Sequence, residues 1–325
     1  MTGDATLGTS AGPAGRVRTS LPALVAHVAA DYRLGEVADW SVLATGYEDC
    51  NIDLRTRRER VVIKVFAAGR PAGIAARTAG VIDAVREAGV HHPRLHADAA
   101  GRQVHSYDGH RLFVMDFAPG RTFYDLGRPP DQAELARLVE QAARIHACGA
   151  RPEPVFDSWA IANLVPLAGQ VGDLLDRRQR RLVDGAVSEL ARIDFPALPV
   201  RLIHADLTAG NVLLGPDGEL TVLDFALANR WPRLQELAVI AASLMHGSPE
   251  ALPARLDAVA RLYSAAGTAP LTPEEEAALP AFGRAAAAME LLGGLNQWRQ
   301  GNRGPETDSL IEIGTAGLAD YDGCD

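Results

Sequence analysis

Residues Arg201 to Phe225 read RLIHADLTAGNVLLGPDGELTVLDF, and the rest of the chain is interpreted from this stretch outward. A short apolar run, Val200 to Ile203, follows Pro199 and leads into a polar loop, His204 to Asn211. Two further apolar segments, Val212 to Leu214 and Leu220 to Leu223, flank Gly215-Pro-Asp-Gly218. Apolar runs on either side of a Pro-Asp-Gly turn signal predict a β-hairpin. The midpoint between Asn211 and Asp224 falls between Asp217 and Gly218, so an unbulged hairpin would set those two residues face to face, Cα atoms about 5 Å apart. Asp206 lies in the loop that feeds the hairpin. An amide oxygen and two carboxylates gathered at one end form an oxygen-only donor set, the kind Mg²⁺ takes while keeping positions for water and phosphate.

The basic residues point to a second position. Of 32 Lys and Arg residues, Lys64 is the single lysine, set in the apolar strand-like run Val61-Val-Ile-Lys-Val-Phe66. Where arginine is otherwise always used, a lone lysine marks a place that needs a compact ammonium in place of a planar fork.

At 325 residues with 47% hydrophobic content, the chain is long enough for one large domain or two lobes with a sizeable core. A net charge of -9 and the lack of a basic aromatic stripe exclude a general nucleic-acid binder. Cys50, Cys148 and Cys324 are too few and too scattered for a disulfide framework or zinc ribbon, a usage that fits a reducing cytoplasm. No apolar run reaches the roughly 18 residues a membrane span needs, so no membrane partner is expected. Leu21 to Ala30 imitates a secretion signal only faintly, being interrupted by Pro22 and His27.

In chain order, residues 1–19 have the composition of a disordered tail. Leu21 to Tyr32 has helical periodicity, and Trp40 to Ala44, Asn51 to Arg55 and Val61 to Phe66 read as an antiparallel meander. A helix follows over Ile74 to Ala88, then a hairpin of Arg102 to Tyr107 and Arg111 to Phe117 around Asp108-Gly109. Ala118-Pro-Gly120 is the sharpest composition break. Beyond it, Asp131 caps a helix through Ala147. The segment to about Ile193 reads as helical with a solvated basic face at Arg177 to Arg181. Four more helices are expected over Arg233 to Met245, Pro253 to Ala266, Pro273 to Gln300 and Pro305 to Leu318. The implied organisation is a β-rich N-lobe over 20–117, a hinge at 118–121 and a mainly helical C-lobe over 122–325.

Three nucleotide and hydrolase signatures are missing: a Walker A loop, a Gly-x-Gly-x-x-Gly fingerprint and a Gly-x-Ser-x-Gly elbow. Present instead are His204-x-Asp206-x4-Asn211 and, thirteen residues on, Asp224-Phe225. With a strand lysine upstream, this is the set that protein kinases use: a loop Asp, a metal-holding Asn and Asp, and a phosphate-pairing Lys. The chain resembles the aminoglycoside phosphotransferase and choline kinase superfamily, over roughly residues 35 to 320. Tyr47-Glu-Asp-Cys-Asn51 and Leu223-Asp-Phe-Ala226 with Trp231 to Ala238 are similar to its hydroxylysine kinase and homoserine kinase-like branch.

The resemblance implies an α+β, two-lobed protein-kinase-like fold and an enzyme that transfers a phosphoryl group from ATP or GTP, with Mg²⁺, to a hydroxyl of a small molecule. The acceptor implied is an amino alcohol or hydroxy amino acid. An antibiotic-modifying phosphotransferase is the alternative, and a kinase fold that binds without catalysis is a third. Carried over residue by residue, Asp206 is the catalytic base, Asn211 and Asp224 hold the metal, and Lys64 pairs with phosphate. Gly46 contributes backbone N–H groups, and the hinge at Asp116 and Ala118 faces the nucleotide base. His204 is expected to brace the loop. Arg230, Arg233, Arg299 and Arg303 are candidates for a substrate carboxylate, and Glu236 and Glu306 for a substrate amine. His91, His92 and His96 read as exposed loop histidines. Two departures stand out. Ala205 replaces the usual Gly, and Thr78 occupies the place of the helix Glu that pairs with the lysine, leaving Asp83 and Glu87 as the nearest acids.

Overall fold

The computed structural model describes residues 17–43, 49–267 and 269–321. The chain divides into two units, one of residues up to Ala79 with Pro93–Phe117, the other of Gly80–His92 with Ala118 onward. The segment Gly80–His92, expected in the N-lobe, therefore belongs with the second unit.

The first unit is a five-stranded antiparallel sheet with a helix on one face. Helix α1 spans Leu21–Asp31, and the strands are β1 (Val37–Val42), β2 (Cys50–Thr56), β3 (Arg60–Val65), β4 (Val104–Tyr107) and β5 (His110–Asp116), in the order β1-β2-β3-β5-β4. Leu24, Val25 and Val28 of α1 meet Ile52, Leu54, Val61, Ile63, Leu112 and Val114 in one buried cluster. Val17, inside the expected tail, is buried in the same cluster, and the Arg18 N–H donates to His110 Nε2 at 3.1 Å. The β4–β5 turn is the two-residue Asp108-Gly109, both at positive φ (46° and 80°), the geometry that matches the strand twist. Helix α2 (Ile74–Glu87) begins in this unit and ends in the other.

The second unit is mainly helical. It opens with the short β6 (Arg121–Thr122) and α3 (Phe123–Leu126), then α4 (Gln132–Ala147), α5 (Leu164–Val171) and α6 (Arg177–Leu190). Strands β7 (Val200–Ile203), β8 (Val212–Leu214), β9 (Leu220–Val222) and β10 (Asn229–Pro232) carry the polar segment. Helices α7 (Leu234–Val239), α8 (Leu252–Ala265), α9 (Pro273–Arg299) and α10 (Pro305–Ala319) complete it. The span expected as one helix from Arg233 to Met245 is α7 followed by a π-helical turn, Ile240–Leu244. Residues 148–160, expected to be helical, form no helix, being interrupted by Pro152 and Pro154.

Capping chemistry sets several helix starts. Asp131 and Glu134 cap α4 reciprocally, as do Asp176 and Gln179 on α6 and Thr272 and Glu275 on α9. Helix α9 is buried from Ala285 to Gly294 on all sides, which is why its apolar residues show no stripe. Glycines let its neighbours approach: a Cβ at Gly293 would lie 2.0 Å from the Trp159 ring, and one at Gly314 of α10 would lie 2.2 Å from the Leu291 nitrogen. Among the described residues no helix is long and apolar enough to cross a membrane.

Candidate active site

The strands around the polar loop pair differently from the simple hairpin expectation. Strand β7 pairs with β10, Ile203 opposite Asn229, while β8 and β9 form a three-stranded sheet with β6. Within β8–β9, Val212 faces Val222 and Leu214 faces Leu220. Asn211 is thus opposite Leu223, whose N–H donates to the Asn211 carbonyl at 2.8 Å, and not opposite Asp224. The one-residue offset comes from the turn. Gly215 N–H bonds to the Glu219 carbonyl at 2.8 Å, enclosing three residues, and Gly218 takes φ 82°. A three-residue loop ending in a left-handed Gly shifts the midpoint by half a residue from the two-residue turn assumed. Asp224 then leaves the strand altogether at φ 60°, its carboxylate accepting the Ala226 N–H at 3.3 Å.

Asp206 and Asn211 meet directly. The Asn211 amide nitrogen donates to Asp206 Oδ2 at 2.7 Å and to the Asp206 carbonyl at 2.9 Å. Burial pushes the Asp206 carboxyl up to about 8, and the negative charges of Asp224, Asp157 and Glu290 push the same way. Four carboxylates therefore share one electrostatic neighbourhood, which is the setting a cation stabilises.

His204 braces this loop, as expected. Fully buried, its Nε2 lies 2.7 Å from the Leu223 carbonyl and its Nδ1 accepts the Asp206 N–H at 3.2 Å. Those partners define a neutral ring with the proton on Nε2, and burial holds its pKa below the ordinary value. Its ring also lies 4.6 Å from that of Phe225, edge to face. Glu236 holds the other side: Oε2 accepts the Ala205 N–H at 2.9 Å and Oε1 lies 3.1 Å from His146 Nε2.

Glu236 is therefore committed to the loop and not available to a substrate amine. Arg233 is committed too, with Nε and Nη2 at 2.7 and 2.6 Å from the two Glu275 oxygens, and further bonds to Tyr263, Ala269 and Pro270. Arg299 is bound to Asp173 and the Gln170 carbonyl. Arg230 Nη2 donates to the Val200 carbonyl at 3.3 Å, and the Arg303 guanidinium lies 4.2 Å over the Trp298 ring.

In the first unit, Lys64 is buried on β3 and its ammonium lies 3.4 Å from Asp49 Oδ2. Asp49 immediately precedes β2, and it also accepts the Ala67 N–H at 3.1 Å and pairs with Arg70 at 3.4 Å. One counter-charge for the lysine comes from the neighbouring strand end; on helix α2, Asp83 is half-buried. Thr78 is buried there with a hydroxyl that has no hydrogen-bond partner, and Glu87 is exposed. Asp116 ends β5; its side chain is held by His96 at 2.6 Å and Arg94 at 3.4 Å, and its N–H donates to the Arg94 carbonyl at 3.0 Å. Ala118 begins the longer stretch of the second unit. Gly46 lies outside the described residues.

The three histidines expected as exposed loop residues each have a distinct setting. His91 is half exposed beside Glu219 at 3.2 Å, His92 is buried edge-on to Phe225, and His96 is on Asp116.

Asp157 and Glu290 were missed in the sequence. Glu290 had a legible signal: it is the lone charge between Ala285 and Gly294, and burial pushes its carboxyl up to about 7. Asp157 had none, because a coil carboxylate after Pro154 looks like any surface loop. Its Oδ1 accepts the Trp159 N–H at 2.8 Å, and Trp159 packs on Gly293, one turn beyond Glu290 on α9.

A β-sheet unit carrying a buried strand lysine, with a helical unit carrying His-x-Asp, Asn and Asp at a hairpin, defines a protein-kinase-like small-molecule kinase. Residues 39–273 match the model of the phosphotransferase enzyme family, and the chain belongs to that family. It is 29% identical over 271 residues, 82% of each chain, to homoserine kinase of Methylobacillus flagellatus. Among solved structures it is similar to a microcompartment-associated aminopropanol kinase, with TM-score 0.68, 16% identity and coverage of 92% of this chain and 96% of the other. It is also similar to a spectinomycin phosphotransferase in complex with ADP and spectinomycin, with TM-score 0.66, 12% identity and coverage of 94% and 100%. Identities this low show a shared fold alone.

Proposed function

We propose that this phosphotransferase uses ATP or GTP, with Mg²⁺, to phosphorylate the hydroxyl of a small amino alcohol or hydroxy amino acid, homoserine being the first to try. The observation that carries the reading is the Asp206–Asn211 hydrogen bond at 2.7 Å, beside the charge of Asp224. In this reading Asp206 orients the acceptor hydroxyl and takes its proton. Asn211, whose amide nitrogen is spent on Asp206, offers its carbonyl oxygen to the metal, and Asp224 offers a carboxylate. Oxygen donors of this kind fit Mg²⁺, which when bound supplies charge neutralisation for the transferred phosphoryl group. Lys64, aimed by Asp49, is the cation for the nucleotide phosphates, with Gly46 supplying backbone N–H groups and Asp116 and Ala118 the contacts to the base. His204 and Glu236 keep the loop in place from opposite sides.

The substrate's ammonium is assigned to Asp157 and Glu290, the carboxylates whose charge reaches Asp206. Homoserine kinase being the name of relatives matched over most of the chain supports the hydroxy amino acid choice. The enzyme is assigned to the reducing cytoplasm, in keeping with Cys50 and Cys148 being buried and outside any disulfide.

The test is a coupled assay with ATP or GTP, Mg²⁺ and a panel of homoserine, hydroxylysine, aminopropanol and aminoglycosides. Turnover of a hydroxy amino acid or amino alcohol is expected, falling about 10²–10⁴-fold in Asp206→Ala. Preferential turnover of an aminoglycoside would favour the antibiotic-modifying alternative. No turnover above the Asp206→Ala control on any acceptor would leave the non-catalytic binder.

A further inference from the structure

Away from the residues assigned above, the first unit gathers His27 and Asp31, one turn apart on α1, with His105 on β4. Their donor atoms form a tight triangle. His27 Nε2 is 3.0 Å from His105 Nε2 and 3.4 Å from Asp31 Oδ2, and His105 Nε2 is 3.3 Å from the same oxygen. A zinc-type ion about 2.0–2.1 Å from each of its donors sets tetrahedral donors about 3.3 Å apart. The triangle has those edges.

Proton counting gives the same answer. His105 Nδ1 lies 3.3 Å from Asp98 Oδ2, and Asp98 is a fixed acceptor: its other oxygen takes the Ala100 and Arg102 N–H groups, each at 2.9 Å. The His105 proton therefore belongs on Nδ1, which leaves Nε2 as a bare lone pair facing both His27 and Asp31. A neutral His27 protonated on Nε2 brings one proton to two acceptor atoms, His105 Nε2 and Asp31 Oδ2. A divalent cation accepts all three lone pairs at once. The Asp98–His105 contact is also the carboxylate–histidine arrangement that orients metal-bound imidazoles. Tyr107 packs on the His27 ring at 4.6 Å, and Asp31 and the His27 side chain are each about one-third exposed, which gives an ion a path and leaves room for water.

We propose that His27, Asp31 and His105 bind a divalent transition-metal ion of the zinc class, with Asp98 supporting His105. Two imidazoles and a carboxylate select such an ion over Mg²⁺ or Ca²⁺. The ion ties helix α1 to edge strand β4, a structural role separate from phosphoryl transfer.

The experiment uses the full chain stripped with EDTA, desalted, and held in saturating Mg²⁺ and ADP so that the nucleotide site is filled. Zn²⁺ is titrated by calorimetry and Co²⁺ by visible absorption. One Zn²⁺ per chain is expected, with visible Co²⁺ bands and a raised thermal midpoint. His27→Ala, a partly exposed position that leaves the core intact, is expected to abolish all three, and Asp31→Asn to weaken Zn²⁺ at least tenfold. With Mg²⁺ supplied and no Zn²⁺ added, phosphotransfer by His27→Ala is expected to equal that of the parent. Absence of saturable Zn²⁺ binding in the parent, or unchanged binding in a folded His27→Ala, would overturn the proposal.

Discussion

In the proposed reading Lys64 serves the nucleotide phosphates, and Asp49 at the adjacent strand end holds its ammonium at 3.4 Å. Its ammonium is a compact donor, so Lys64→Arg replaces it with a larger, differently directed fork. That variant is expected to lose about 10²-fold in kcat/KM, while Asp49→Asn mainly raises the nucleotide KM. Steady-state kinetics with varied nucleotide separate the two; wild-type-like values in Lys64→Arg would remove the lysine from the site. Ala205 is a different kind of residue-scale feature. It sits between His204 and Asp206 at φ 74°, a left-handed conformation that costs a non-glycine residue about 1–2 kcal/mol. Glu236, accepting its N–H, holds it there. Ala205→Gly relieves that strain, less the extra entropy of an unfolded glycine, and is expected to raise stability by about 1 kcal/mol in urea unfolding. A destabilised Ala205→Gly would contradict the strain argument.

At the scale of elements, a chain of buried polar contacts holds the loop. Glu275 caps the start of α9 through Thr272 and pairs with Arg233 at the start of α7. Helix α7 in turn presents Glu236 to Ala205 and His146. Arg233 is thus a joint between helices and not a substrate ligand. Arg233→Ala leaves Glu275 buried without its partner, and a loss of about 3–5 kcal/mol is expected in denaturant unfolding. A variant of normal stability with a raised acceptor KM would return Arg233 to the substrate site. The second half of α2 shows why element boundaries differ from lobe boundaries. Its exit loop is tied into the helical unit by His91 N–H to Gln141 at 3.0 Å and Val222 N–H to the His91 carbonyl at 2.9 Å.

On the scale of the whole molecule, each unit carries an ion pair that makes folding sensitive to acid. The Arg60 side chain, by its hydrogen bonds, holds the Asp53 carboxyl below the usual range in the first unit, and Arg128 does the same to Glu134 in the second. Both folded-state values lie below the unfolded ones, so the stabilisation is complete above the unfolded carboxylate value of about 4 and is lost as pH falls below it. Urea unfolding followed from about pH 6 to 2 is expected to show falling stability at the acid end, with a flatter slope in Asp53→Asn. An unchanged slope in that variant would show that the pair does not contribute.

Much of this was legible in the amino-acid order because local rules are short-range. The period of apolar residues placed most helices to within a residue or two, Asp131 marked the start of α4, and Asp108-Gly109 marked the β4–β5 turn. The spacing from His204 to Asp224 and the solitary Lys64 marked the kinase-like chemistry. The hairpin register was off by one residue because two- and three-residue turns both suit Pro-Asp-Gly, and only the paired strands choose between them. The partners were not legible at all. That Asp49 serves Lys64, that Glu236 is a brace, and that the charges of Asp157 and Glu290 reach Asp206 depend on segments fifteen to ninety residues apart. Sequence by itself determined the elements and the type of chemistry, since both are encoded in neighbouring residues. Tertiary structure alone decided which charge meets which, because electrostatic pairing depends on distance in space and on burial, and neither is a property of a position in the chain.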